Sequence, residues 1–562
     1  MSTTLPSYTS GTAEVPLLGL TIGEMLDRTA SQYPDTEALV CLHQSIRWTY
    51  REFVDKVDEA ARAFLAIGVK RGDRVGIWAP NRYEWTVTQF ATAKVGAILV
   101  NINPSYGVHE LQYALNLAGI STLVTADSFK ASNYREMLYE LAPELKRSAP
   151  GKLKADHVPD LRTVINLDND QHEGMLTWAG FLDFASNTTA DDLARRQSQL
   201  QFDDPINIQF TSGTTGNPKG ATLTHHNILN NGYFVAGSQR LTAEDRLVIP
   251  VPLYHCFGMV MGNLGCITHG ATMIYPGEGF DPKTVLQAVH QEKATALYGV
   301  PTMFIAELAD PEFDSYDLSS LRTGIMAGSI CPAEVMKKVN GKMNMKEVQI
   351  AYGMTETSPV STQTSSQDPF EKQVTTVGRT QPHLETKIVD PGTGNVVPRG
   401  EIGELCTRGY SVMLKYWNNE EKTREAIDES GWIHTGDLAT MDEDGYIQIV
   451  GRIKDMVIRG GENIYPKEIE EFLYTHPAIE EVQVTGIPDE KYGEELIAWV
   501  KLRPEADPVT ADDLQAFCKG KIAHFKIPRN YKFVDAFPMT VTGKIQKFKM
   551  REISIEELGL EP

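Results

Sequence analysis

Apolar and polar positions along the first half of the chain switch repeatedly between a helical and a strand period. Tyr50 to Ile67 places its apolar residues at helical spacing and predicts an amphipathic helix. Arg74 to Trp78, bounded by Gly72-Asp73 and Pro80-Asn81, reads as a strand. Glu84 to Lys94 predicts a second helix. Val95 to Val100 is a short apolar run that reads as a buried strand centred on Ala97 to Val100, and His109 to Leu117 leads to a further strand at Ser121 to Thr125. Strands separated by helices of about ten residues indicate βαβ units on a parallel sheet. Pro143 to Asp160 is more polar and reads as a surface excursion.

The pattern changes near Gly451-Arg452-Ile453-Lys454-Asp455. Beyond it, Pro466 to Tyr474 and Thr510 to Lys519 predict helices, and Val482 to Gly486 and Glu495 to Leu502 predict strands. The expected fold class is therefore α/β: a large N-terminal domain of parallel-rich βα sheets, residues 1–451, and a small α+β C-terminal domain, residues 452–562. A chain of 562 residues is too long for one core, which agrees with a division.

Composition removes some functions. A net charge of −21 argues against a general nucleic-acid binder, which needs a basic surface. The six cysteines are scattered with no C-x-x-C pair, a spacing that fits reduced thiols in a cytoplasmic protein. Met1 to Leu20 has no Lys or Arg and no long apolar run, so no secretory signal is expected there, and no stretch reaches bilayer length. Peripheral membrane contact and oligomeric state stay open.

The chemistry concentrates in a few segments. Ile206-Asn207-Ile208-Gln209-Phe210 alternates as a strand does and runs into Thr211-Ser212-Gly213-Thr214-Thr215-Gly216-Asn217-Pro218-Lys219-Gly220. Hydroxyls, glycines and a lysine so close together supply backbone and side-chain donors for a polyphosphate. The order is not that of a Walker A loop, which ends Gly-Lys-Ser/Thr. Tyr352-Gly353-Met354-Thr355-Glu356-Thr357 offers a ring, a hydroxyl and a carboxylate, the types that stack a base and hold Mg²⁺, or else a turn closed by its own hydroxyls. Asp437, in His434-Thr435-Gly436-Asp437, suits either a ribose diol or solvent. Pro252 to Gly262 mixes aromatics, His255 and flexible apolar residues, as core or as an adaptable pocket. His225-His226 reads as structural. From Lys519 to Arg551 the chain is basic, with Lys544 after a hydroxyl-rich turn.

In this order the segments TSGTTGNPKG (211–220), YGMTET (352–357), HTGD (434–437), GRIKD (451–455) and TVTGK (540–544) resemble the adenylate-forming superfamily of acyl- and aryl-CoA synthetases, adenylation domains and firefly luciferase. The PLYHCFG and GGENIYP stretches look most like medium- or long-chain fatty acyl-CoA synthetases. The resemblance implies an AMP-forming acid–thiol ligase using a fatty acid, ATP, Mg²⁺ and coenzyme A. It implies that Thr211, Ser212, Gly213, Thr214, Thr215, Gly216 and Lys219 hold the ATP phosphates, that Thr355 touches the α-phosphate, and that Glu356 holds Mg²⁺ with Thr211 as second ligand. Tyr352 and Gly328 would flank adenine. Asp437 and Arg452 would hold the ribose, and Lys544 would be the catalytic lysine of adenylation.

The same resemblance makes Lys454 the hinge of a mobile C-terminal domain. It puts His255, Gly460, Gly461 and Glu462 beside the thiol tunnel, and Tyr233, Gly237, Gly258, Met259 and Met261 around the acyl chain. Two departures stand out: Lys415 where the family has glycine, and Ser329-Ile330 in place of an Ala-Pro-like pair. An aromatic or other acid, or a carrier-protein thiol as acceptor, is the alternative. Phe280-Asp281-Pro282 superficially matches the aspartate of amino-acid-activating members.

Overall fold

The computed structural model describes residues 5–168, 170–211, 218–329, 331–460, 462–539 and 545–560. The chain forms two compact units, one of residues 9–386 and 407–433 and a smaller one of residues 1–8, 387–406 and 434–562.

The larger unit is built on two sheets. The eight-stranded sheet runs in the order Leu176–Thr177, Thr163–Asn166, Ile120–Thr125, Arg74–Trp78, Ile98–Asn101, Pro205–Thr211, Lys219–Thr224, Lys415–Tyr416. Its pairs are parallel from Leu176–Thr177 through Pro205–Thr211 and antiparallel at the last two junctions. The nine-stranded sheet runs Arg379–Thr380, Val360–Gln363, Glu347–Gly353, Thr323–Ala327, Ala296–Gly299, Arg246–Val248, Thr272–Tyr275, Glu37–Cys41, Ile46–Thr49. Both are parallel in the middle, the βαβ architecture expected from alternating patterns.

The helices follow their capping chemistry. Tyr50–Ala66 begins at Thr49, whose hydroxyl accepts from the Glu52 backbone while Glu52 accepts from the Thr49 backbone. Its buried Phe53, Val57, Ala60, Ala61 and Phe64 lie on one face. Helix Tyr83–Val95 is instead buried nearly all round and stops at Gly96, which takes the left-handed conformation. The buried Lys94 on it reaches Asp27 and Asp58, each at 2.5 Å. The polar segment 143–160 differs from expectation. Only Pro143–Arg147 is helical, and Leu145, Leu153, Ala155 and Val158 are buried, so the excursion is pinned to the core by apolar residues spaced without a period.

In the smaller unit, helix Pro466–Leu473 and helix Ala511–Cys518 accompany a sheet in the order Glu462–Ile464, Val457–Arg459, Gly493–Leu502, Ile479–Asp489, with Asn530–Phe533 parallel to Gly493–Leu502. Strand Ile433–Met441 pairs antiparallel with Ile447–Arg452 and sets Asp437 opposite Arg452.

Candidate active site

Strand Pro205–Thr211 leaves the middle of the eight-stranded sheet and returns as Lys219–Thr224, with Thr211 opposite Lys219. The hairpin ends close on the Gly-rich loop. Ser212, Gly213, Thr214, Thr215 and Gly216 themselves lie outside the described residues. Thr211 Oγ1 donates to the Lys219 carbonyl at 3.4 Å. The alternating polar residues of this strand do not face water. Asn207 donates to Asn101 Oδ1 at 3.0 Å, Gln209 donates to Asn207 Oδ1 at 2.9 Å, and both amide groups of Asn101 and Gln209 reach Met259 Sδ at 3.1 Å. A buried amide ladder thus braces the strand that carries the loop.

Glu356 sits just beyond the end of strand Glu347–Gly353, in the short 3₁₀ turn Thr355–Thr357. The chain turns tightly there: a Cβ on Gly353 would lie 1.8 Å from the Pro359 carbonyl oxygen. Glu356 is 5% exposed, and its backbone carbonyl accepts from Met413 N at 2.8 Å. Its Oε1 accepts from the Tyr416 hydroxyl at 2.7 Å. Tyr416 in turn accepts from Lys219 Nζ at 3.1 Å, and the ammonium lies 4.2 Å from the centre of the Tyr416 ring. Burial, with the Glu356 charge beside it, pushes the Tyr416 phenol well above its ordinary pKa, so it stays protonated. The structure therefore joins two residues the sequence reading singled out, Lys219 and Glu356, through one it gave no role. Tyr416 follows Lys415, one of the two departures from the family pattern, and no local pattern in the sequence marks it.

Tyr352 and Gly328 come together through sheet register. Ala327 is opposite Ala351 in the parallel pair, so Gly328 and Tyr352 emerge side by side at the carboxyl ends of adjacent strands. That is where open α/β sheets bind ligands. Thr355 follows on the same edge.

His255 precedes a π-helix, Phe257–Leu264, and its carbonyl accepts from Gly258 N and Met259 N at 3.1 and 3.0 Å. A Cβ on Gly258 would fall 2.5 Å from the Pro252 carbonyl oxygen, so only glycine fits the start of this turn. Met259 and Met261 are buried on it. Tyr233 lies on helix His225–Ser238 and stacks on His269 with centroids 5.3 Å apart, and Gly237 is exposed one turn on. His225 is buried and accepts from Ile22 N at 3.1 Å, and burial pulls its pKa down to about 3, which fits a structural role. Asp281 caps helix Pro282–Glu292 by accepting from Thr284 N at 2.9 Å. The structure thus gives Asp281 the part of a helix N-cap.

In the smaller unit Asp437 is buried and accepts from Arg452 Nε at 3.0 Å, while Arg452 remains largely exposed. Lys454 is exposed in the turn Ile453–Asp455. Gly460 donates to the Tyr492 carbonyl at 2.8 Å, and Glu462 is exposed at the start of its strand. Gly461 and Lys544 lie outside the described residues. Glu404, Cys406 and His434 cluster closely enough to hold a metal ion. However, His434 Nδ1 lies 3.5 Å from Cys406 Sγ and 2.8 Å from Glu404 Oε2, and these neighbours push its pKa up to about 10. The cluster is an ion pair that holds the strand bearing Asp437, with Glu404 Oε1 also accepting from Gly436 N.

A parallel sheet carrying a hydroxyl- and glycine-rich hairpin, with a buried carboxylate tied to the hairpin's lysine, defines a nucleotide-dependent enzyme. The AMP-binding enzyme family model matches residues 26–417, and the AMP-binding enzyme C-terminal domain matches residues 468–544. The chain belongs to the AMP-binding enzyme family. YngI of Bacillus subtilis (strain 168) is 52% identical over 544 residues, covering 97% of this chain and 99% of YngI. The mitochondrial medium-chain acyl-CoA ligase ACSF2 of Danio rerio is 49% identical over 99% of this chain and 91% of its own. Among solved structures, the anthranilate CoA ligase AuaEII in complex with anthranoyl-AMP superposes with a TM-score of 0.84 at 27% identity, covering 98% of this chain and 99% of that one. The expected fold class, α/β with a large N-terminal and a small C-terminal domain, holds.

Proposed function

We propose that the protein is an ATP-dependent fatty acid–CoA ligase. In the first step a carboxylate oxygen attacks the α-phosphorus of ATP, forming acyl-AMP and releasing pyrophosphate. In the second the coenzyme A thiol attacks the acyl carbonyl carbon, and AMP leaves with the bonding electrons. The observation that carries this reading is the Lys219–Tyr416–Glu356 hydrogen-bond chain, which links a half-buried ammonium to a buried carboxylate at one end of the sheets.

The oxygen donors fit Mg²⁺. A hard cation bound by one carboxylate plus substrate phosphates needs what Glu356 offers, with the Thr211 hydroxyl as a second oxygen. When bound, the ion neutralises phosphate charge. Thr355 contacts the α-phosphate, Tyr352 and Gly328 flank the base, and Asp437, steadied by Arg452, accepts the ribose hydroxyls. Lys544 balances the charge that spreads over the phosphoryl oxygens during adenylation. Residues 452–562 act as a lid turning about Lys454, and His255, Gly460, Gly461 and Glu462 serve the thiol step. Tyr233, Gly237, Gly258, Met259 and Met261 receive the acyl chain.

The name of the ACSF2 relative supports a medium chain. The AuaEII likeness supports an aromatic acid as second reading. All six cysteines are free thiols, which supports a reducing compartment such as the cytoplasm. Among the described residues no helix is long and apolar enough to cross a membrane. The test is carboxylate-dependent exchange of labelled pyrophosphate into ATP, over saturated acids from acetate to palmitate and a set of aromatic acids. A maximum at a medium chain length is expected. A maximum at benzoate-type acids selects the second reading, and no exchange with any acid overturns both.

A further inference from the structure

We propose that Tyr416 is a positioning residue for the cation: its hydroxyl fixes the Glu356 carboxylate so that the second oxygen is presented to the divalent ion that accompanies ATP. The inference rests on the reading of Lys219 as phosphate ligand and Glu356 as cation ligand.

Hydrogen-bond chemistry sets the direction of the chain. An ammonium only donates, so the phenol oxygen accepts from Lys219. Its single proton then goes to Glu356, which as a carboxylate only accepts. Tyr416 is 3% exposed and Glu356 5%, so water does not substitute for either bond. The backbone tightens the arrangement from both sides. Tyr416 is opposite Ala221 in the strand that begins at Lys219, and Met413, three residues before Tyr416, holds the Glu356 carbonyl. One short segment thus grips Glu356 by main chain and side chain together. Tyr416 occupies Oε1, while Oε2 has no hydrogen-bond partner among the described residues.

The substitution Tyr416→Phe keeps the ring and its contact with Lys219 and removes only the hydroxyl. Calorimetry of ATP binding without carboxylate, with Mg²⁺ and with EDTA, gives the affinity gain conferred by the metal. That gain is expected to shrink by roughly 10- to 100-fold in Tyr416→Phe, the value of a hydrogen bond to a charged group, while binding of metal-free ATP stays near wild type. Tyr416→Met, a second variant without ring or hydroxyl, must lose the gain at least as far. An undiminished gain, or equal loss with and without Mg²⁺, overturns the positioning role. Glu356→Gln separates the two levels. If it keeps the full Mg²⁺ gain, the reading of Glu356 itself fails and the role of Tyr416 falls with it. If it loses the gain while Tyr416→Phe does not, only the role of Tyr416 fails.

Discussion

At the scale of single residues, Glu307 is the least comfortable group in the larger unit. It lies on helix Pro301–Leu308, fully buried, and neither carboxyl oxygen has a hydrogen-bond partner among the described residues. Burial therefore raises its pKa well above the ordinary carboxyl value. The folded form keeps a proton that the unfolded chain loses above its ordinary pKa, so this residue makes stability fall as pH rises. Glu307→Gln removes the titration. Its denaturant midpoint is expected to rise relative to wild type between pH 5 and pH 8, and a pH-independent difference would count against the buried neutral acid. Such residues are poorly legible in sequence. The period of Ile206 to Phe210 identifies a strand, but the burial of Asn207 and Gln209 depends on Asn101 and Met259, far away in the chain. Tyr416 was hidden for the same reason, since its partners Lys219 and Glu356 are distant in sequence and meet only through sheet order.

At the scale of elements, periodicity carried most of the information. Tyr50–Ala66, Arg74–Trp78 and Tyr83–Val95 lie within a residue of their expected bounds, because capping and glycine stops reinforce the pattern. The π-helix Phe257–Leu264 was not legible, since glycines and methionines impose no period and the wide turn answers to tertiary packing. Helix Tyr83–Val95 hides a polar device inside an apolar layer. Lys94, 1% exposed, bridges Asp27 and Asp58 on two other helices. Lys94→Ala leaves those carboxylates facing one another and is expected to cost about 3 kcal/mol. Lys94→Met, which refills the space, is expected to cost less. Urea denaturation of both variants checks the order, and equal losses would show that the lost charge rather than the lost packing dominates.

At the scale of the whole molecule, five ordered motifs made the reaction class readable, whereas chain-length preference has no such motif and was not. Lys544 belongs to this scale because it stands so late in the chain. Lys544→Ala is expected to slow acyl-AMP formation by roughly 100- to 1000-fold while sparing thioester formation from supplied acyl-AMP. Equal loss in both half-reactions would refute its assignment to adenylation. One consequence of sheet order reaches beyond catalysis. The eight-stranded sheet ends on both sides in strands of two residues, Leu176–Thr177 and Lys415–Tyr416, and the second begins with an exposed lysine. A stub with a charged side chain is a poor template for another molecule's strand. The segment that holds Glu356 thus also guards the flank of the sheet, so damage there threatens the enzyme's solubility in a crowded cell as directly as its turnover.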